Sequence, residues 1–310
     1  MSVLVVCTEV GSAVALKEIL ILEKVSTFYF NGSKLAKEFF NRTCAFNILD
    51  NENNLSSKLI NKIYLGSTLG PCAETLTYES KRFSSVEKTS VIDSYWNISQ
   101  RFADTKTGKK WKFCPNSIYV PNDLIAKKLK IEGYEGTVKL FNSPSFNENY
   151  KSHELIERSY IRNKYKVQSN HKAYIFISEY SQKIPSSWNI EADQFNYDEI
   201  RSSLELFNNR IDYLNRNGRN VMPFIKWHPT LYDKANLEQF LHKDIVQIHS
   251  IEKIDLFKLG DVFFGLNSML FLEAFKRGLK VFSLMTDDMK KKNNLSNYHK
   301  DITWKNNYTF

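Results

Sequence analysis

The chain has 310 residues, a formal net charge of +9 and 42% hydrophobic residues, enough for two medium domains that each bury a core. No apolar run approaches the ~20 residues that cross a bilayer. The Met1–Ala13 start lacks the basic head of a secretory leader and meets Glu9 early, so a cytosolic protein is expected, with the inner face of the membrane as a further place for it.

The positive balance suits an anionic partner: nucleic acid, an acidic membrane face, or phosphorylated and carboxylated small molecules. Its lysines and arginines are dispersed and do not alternate with aromatic residues, which argues against nucleic acid. Cys7, Cys44, Cys72 and Cys114 lie far apart without CxxC spacing. They are expected to be reduced, small and buried, and to hold no zinc.

In chain order, Val3–Cys7 is an apolar strand, Thr8–Ser12 a turn and Ala13–Glu23 a helix. This is how doubly wound sheets begin, but it lacks the GxGxxG fingerprint of dinucleotide binding. Strands follow at Ser26–Phe30, Cys44–Leu49, Asn61–Ser67, Thr89–Asp93, Ser117–Val120 and Thr137–Phe141. Helices are expected at Lys34–Phe40, Cys72–Lys81 and Asn122–Lys130. Pro71 fits the first helical turn. Regular alternation of strand and helix implies a parallel sheet.

The polar, aperiodic Ser143–Tyr150 stretch marks a domain boundary. A charged helix, His153–Lys166, leads into a second alternating set. Its strands are Ala173–Ser178, Val221–Trp227, Ile245–Ile248, Val262–Phe264 and Lys280–Leu284. Its helices are Tyr197–Asn215, Asn236–His242, Ile251–Leu259 and the apolar stretch after Ser268. The expectation is α/β with two Rossmann-like domains and a central cleft: residues 1–145 on the acceptor side, 146–285 for a nucleotide sugar, and a polar tail, 286–310, packing back on the first domain.

The chemistry-bearing residues gather at strand ends. In the second half, Lys226-Trp227-His228-Pro229 follows a strand, so His228 faces the crevice where such sheets bind ligands, unless it only caps a loop. Asn267 and Ser268 open a helix, where free N–H groups and the helix dipole favour phosphate, although serine there is often a simple cap. Glu273, inside an apolar helix, needs a partner. Arg277 is the structural choice and ribose hydroxyls the functional one.

In the first half, Glu9 sits beside Gly11, Thr68 and Glu74 flank the Gly70-Pro71 turn, and Asp93 closes a strand before Arg101. Each acid is either a structural partner or a base for an acceptor hydroxyl. No HExxH, DxD-like hook, Walker loop or nucleophile elbow is present, so no cofactor and no metal are expected.

KWHP after a strand, then GLNSMLFLEAFKRGLKVF, together resemble the GT-B superfamily of glycosyltransferases, of the bacterial surface-polysaccharide, sialyltransferase-like type. The resemblance implies transfer from a nucleotide sugar, with His228, Pro229 and Ser268 on the phosphate and Glu273 on the ribose. Lys226 and Asn267 complete that grip. More loosely, Asp93–Phe102 resembles a D-x-W-x-N-x-x-x-R-F segment with its Trp one place late, and the acidic D/E-D/E-G motif of many bacterial sialyltransferases is absent. The base stays open between Asp93, Glu9 and Glu74. What the resemblance implies is a capsule or lipopolysaccharide enzyme with a glycan or lipid-linked acceptor, and a donor that could be a CMP-nonulosonic acid. The alternatives are an epimerase or hydrolase on the same scaffold, or a non-catalytic basic module.

Overall fold

The computed structural model describes residues 2–42, 45–49, 60–94, 97–141, 154–179, 185–190, 195–228, 231 and 234–292, the side chains of 154–157, 272, 276 and 290–292 aside. The chain divides into two compact units. Unit 1 is Met1–Pro144 with Pro185–Ala192, and unit 2 is Ser145–Ile184 with Asp193–Phe310.

Unit 1 runs β1 (Val3–Cys7), α1 (Val10–Leu22), β2 (Thr27–Gly32), α2 (Lys34–Asn41), β3 (Asn47–Leu49), β4 (Lys62–Leu65), α3 (Ala73–Glu79), β5 (Glu87–Val91), β6 (Ser117–Val120), α4 (Asp123–Ile131) and β7 (Thr137–Leu140). The strands form one parallel sheet in the order β3-β2-β1-β4-β5-β6-β7. β1 is apolar throughout because both its faces are covered. Val3, Val5 and Cys7 enter one core with Leu16, Phe28 and Phe40, while Leu4 and Val6 enter another with Ile63 and Leu65. Local signals fix the helices as well. Asn122 caps α4 by accepting from the Ile125 N–H, with Asp123 in its first turn and Lys128 and Lys130 in its last, each sign matching the helix dipole.

Unit 2 runs α5 (Glu154–Lys164), β8 (Lys172–Ile177), α6 (Tyr197–Arg216), β9 (Val221–Lys226), α7 (Lys234–Glu238), β10 (Val246–Ile248), α8 (Lys253–Leu259), β11 (Val262–Gly265), α9 (Met269–Lys276), β12 (Lys280–Ser283) and α10 (Asp287–Lys292). Its parallel sheet has the order β10-β9-β8-β11-β12. Ala173, Ile175 and Ile177 pack with Phe263, Phe271 and Ala274 on one face. Phe176, Phe207 and Phe264 pack with tilted rings on the other. α6 opens on a reciprocal capping box between Asn196 and Glu199. Asp261, just ahead of β11, accepts from Arg158 at 2.5 Å, Arg162 at 2.7 Å and the Ala173 N–H at 2.8 Å, which ties α5 to the start of two strands.

Some boundaries move, with consequences. α1 begins at Val10 rather than Ala13, because Ser12 is buried and its hydroxyl accepts from the Ser67 N–H at 3.3 Å instead of facing solvent in a turn. The strand expected to end on Asp93 stops at Val91, so Asp93 lies beyond its carboxyl end. Of the expected tail, 287–292 form α10 and 293–310 lie outside the described residues. Among the described residues no helix is long and apolar enough to cross a membrane. Cys7 is buried, whereas Cys72 is half-buried and Cys114 exposed, so burial does not extend to every cysteine. Cys44 lies outside the described residues.

Candidate functional site

In unit 2 the strand order reverses direction at β8, with β9 on one side and β11 on the other. Ligands of open α/β sheets sit at the carboxyl ends of strands at such a switch point. The expected residues lie there: Lys226 ends β9, His228 comes two residues after it, and Asn267 and Ser268 follow β11. A pair that sequence reasoning passed over, Ser178-Glu179 at the end of β8, joins them. The His228 N–H donates to Ser178 Oγ at 2.6 Å. Glu179 Oε1 accepts from the N–H groups of Leu266, Asn267 and Ser268 at 3.1, 2.5 and 2.8 Å. The backbone donors expected to await a phosphate are thus engaged by a carboxylate of the same chain. A signal was present: hydroxyl-then-Glu closes the first strand of both halves, as Thr8-Glu9 and Ser178-Glu179.

Burial sets the charges here. Glu179 is 6% exposed, and desolvation pushes its carboxyl up to about 7 despite the three N–H bonds. Desolvation, then the charge of Lys226, brings His228 down to about 4, so its imidazole is neutral near pH 7. Lys226 is itself lowered, first by burial and then by Lys234.

Ser268 caps α9, its hydroxyl accepting from the Leu270 N–H at 3.2 Å. Asn267 is 5% exposed and its Nδ2 has no acceptor among the described residues. A buried unsatisfied donor calls for an explanation, and a ligand is one. Glu273 does not take Arg277, the structural alternative, as its partner. It faces Lys253 Nζ of α8 at 2.9 Å, an ion pair without an aligned hydrogen bond, while the Arg277 guanidinium lies over the Phe257 ring at 4.9 Å. Pro229 lies outside the described residues.

In unit 1 the switch point lies at β1, between β2 and β4, and the candidate residues of that half gather there. Glu74 accepts from the Thr8 N–H at 2.8 Å, the Thr8 hydroxyl at 2.6 Å and the Thr68 hydroxyl at 3.0 Å. Arg101 donates to the Ser67 carbonyl at 2.5 Å, to Ser94 Oγ at 2.7 Å and to Asp93 Oδ1 at 3.5 Å. Gly11 in the first turn of α1 leaves room for Asp93, whose Oδ2 would stand 3.0 Å from an added Cβ. Glu9 stands at the N-cap of α1, yet its side chain makes no cap hydrogen bond. Burial raises its carboxyl pKa; Arg101 opposes this, and Asp93 and Glu74 add to it.

One more piece of unit 1 comes from far along the chain. Trp188 lies against Gly70, where an added Cβ would stand 2.0 Å from the indole ring. The Asn189 N–H donates to the Thr105 carbonyl at 2.6 Å and its side chain to the Thr107 carbonyl at 3.3 Å. Among the described residues no three metal-ligating side chains converge as an ion would need.

No family model matches the chain, and no curated protein matches it. Solved structures do. The chain is similar to the S. aureus MnaA–UDP co-structure, at 12% identity over 94% of this chain and 80% of that one, with a TM-score of 0.54. It is similar to the UDP-GlcNAc 2-epimerase of Methanocaldococcus jannaschii in complex with UDP-GlcNAc and UDP, at 10% identity, 92% and 84% coverage and a TM-score of 0.55. It also resembles the wall teichoic acid polymerase TagF, at 9% identity, 95% and 73% coverage and a TM-score of 0.54. The fold is GT-B. At these identities the likeness is one of fold alone, with two parallel-sheet, Rossmann-like units.

Proposed function

We propose that the chain is a metal-independent glycosyltransferase that moves a sugar from a nucleotide donor on unit 2 to a glycan or lipid-linked acceptor on unit 1. The observation that carries this reading is the convergence of His228, Ser178, Glu179 and the Asn267–Ser268 turn at the carboxyl ends of three neighbouring strands. With the α9 head engaged by Glu179, the donor's phosphate is assigned to side chains: Lys226, a neutral His228 acting as hydrogen-bond donor, and the Asn267 amide. Charge that develops on the departing phosphate would be met there. Glu273 is offered to the ribose in exchange for its pairing with Lys253.

On unit 1, Glu9 is the proposed base. Its raised carboxyl affinity for a proton suits proton abstraction, whereas Glu74 spends its oxygens on Thr8 and Thr68 and Asp93 faces Arg101. Thr68 and Gly11 stand with it on the acceptor side, and Arg101 ties the neighbouring Ser67, Ser94 and Asp93 together. A surface-polysaccharide setting on the cytoplasmic side, and a CMP-linked donor, belong to the same proposal.

A thermal-shift screen against CMP, CDP, UDP and GDP tests the donor half. One nucleotide should stabilise the chain, and His228→Ala should abolish that shift; silence from every nucleotide sinks the reading.

A second reading, a sugar-nucleotide epimerase or hydrolase, is favoured by the likeness to the M. jannaschii epimerase and by the three carboxylates of unit 1. It needs no acceptor. Rapid turnover of donor alone would establish it at the expense of the transferase. A non-catalytic basic module would instead show salt-sensitive binding to nucleic acid or vesicles that His228→Ala leaves unchanged.

A further inference from the structure

Where its strands begin, the unit 2 sheet carries a cavity that the proposed reaction does not use. It measures about 320 Å3 and opens where β8, β11 and β12 begin. Its floor runs along the strands to Phe264 and Phe282, one residue short of the carboxyl ends of β11 and β12, and none of Ser178, Glu179, Lys226, His228, Asn267 and Ser268 lines it.

Its floor is aromatic and crosses three adjacent strands. Tyr174 of β8 lies 5.4 Å from Phe264 of β11, which lies 5.6 Å from Phe282 of β12. Phe264 is buried, while the outer two rings are half-exposed to the cavity they line.

Its walls are cationic. Lys172 opens β8, Lys280 opens β12, and Arg210 reaches in from α6. Both lysines are exposed, and neither has an ion-pair partner among the described residues. The single carboxylate of the lining, Asp261, is paired with Arg158 and Arg162, so it does not offset the two lysines. A cavity of this size, with rings beneath and the two lysines at the rim, matches a ligand with one flat or apolar face and one anionic group.

We propose that this cavity is a second ligand site, for a small ring-bearing anion whose ring lies on Tyr174 and Phe282 and whose carboxylate or phosphate meets Lys172, Lys280 and Arg210. The site is independent of the nucleotide reading, because it shares no residue with it.

Calorimetric titration of the full chain with phenyl phosphate and with inorganic phosphate tests this. Phenyl phosphate should bind saturably and about tenfold tighter than inorganic phosphate, the ring supplying the difference. The double variant Lys172→Glu/Lys280→Glu, at two exposed positions where folding is not at stake, should weaken phenyl phosphate about tenfold or more. His228→Ala should leave its affinity unchanged. The proposal is overturned by no saturable binding, by equal binding of the two probes, by indifference to the double charge reversal, or by loss of binding in His228→Ala.

Discussion

Glu179 and His228 titrate in opposite senses, and their pairing hides both. Glu179 is raised from an ordinary 4.5 to about 7, so between those values the folded chain keeps a proton the unfolded chain has released. Its contribution is full below about pH 4.5 and is lost as pH rises through 7. His228 is lowered from 6.5 to about 4, so its contribution is full above 6.5 and is lost as pH falls through 4. Each effect is on the order of 3 kcal/mol over its window, and where the windows overlap they cancel. Glu179→Gln, which keeps an oxygen for the three N–H groups, should therefore leave a protein whose stability climbs from about pH 4 to 6.5. His228→Asn should leave one whose stability falls from about pH 4.5 to 7. Urea denaturation at about pH 5 and about pH 7 reads both slopes, and two variants with parallel pH profiles would refute the assignment. Glu9 carries a kinetic prediction: Glu9→Gln should lower kcat by about 10²–10⁴-fold with donor KM little changed. Activity within a few-fold of the parent would remove it as the base.

At the level of elements, two of the glycine turns of left-handed φ differ in what surrounds them. Gly278, at φ +74 after α9, has nothing within 4 Å of an added Cβ. Gly278→Ala should cost only the backbone term of about 1 kcal/mol. Gly70, at φ +94, has the Trp188 ring 2.0 Å from that Cβ. Gly70→Ala should add overpacking of about 1–3 kcal/mol, seen as the larger drop in Tm.

The order and type of the elements were readable because buried parallel strands leave unbroken apolar runs such as Val3–Cys7 and capped helices announce themselves, as at Asn122 and Asn196. Candidate residues were readable at strand ends, since the fold brings all those ends to one edge of each sheet. Partners were not. That Glu273 meets Lys253 rather than Arg277, four places along its own helix, depends on how α8 packs. That Glu179 fills the head of α9 depends on β8 lying beside β11, which no local pattern encodes.

Across the whole molecule, the division of the chain is not a single cut. Pro185–Ala192 lies in sequence within the second half and packs with unit 1, anchored by Trp188 on Gly70 and by Asn189 on Thr105 and Thr107. The chain passes between the units at 144–145, again at 184–185 and again at 192–193. Cleavage engineered into the polar Ser143–Tyr150 stretch should therefore leave two fragments that elute together on gel filtration under native conditions. Substituting Trp188→Ala and Asn189→Ala should loosen that association. Separate elution of the cleaved parent would show that the docked segment does not hold. A lineage that recombines genes of this kind meets the same constraint. Neither half can be traded as a cassette at one splice point, because a new first half must also accept the eight-residue stretch that its partner gene carries, and donor and acceptor specificities are to that extent obliged to travel together.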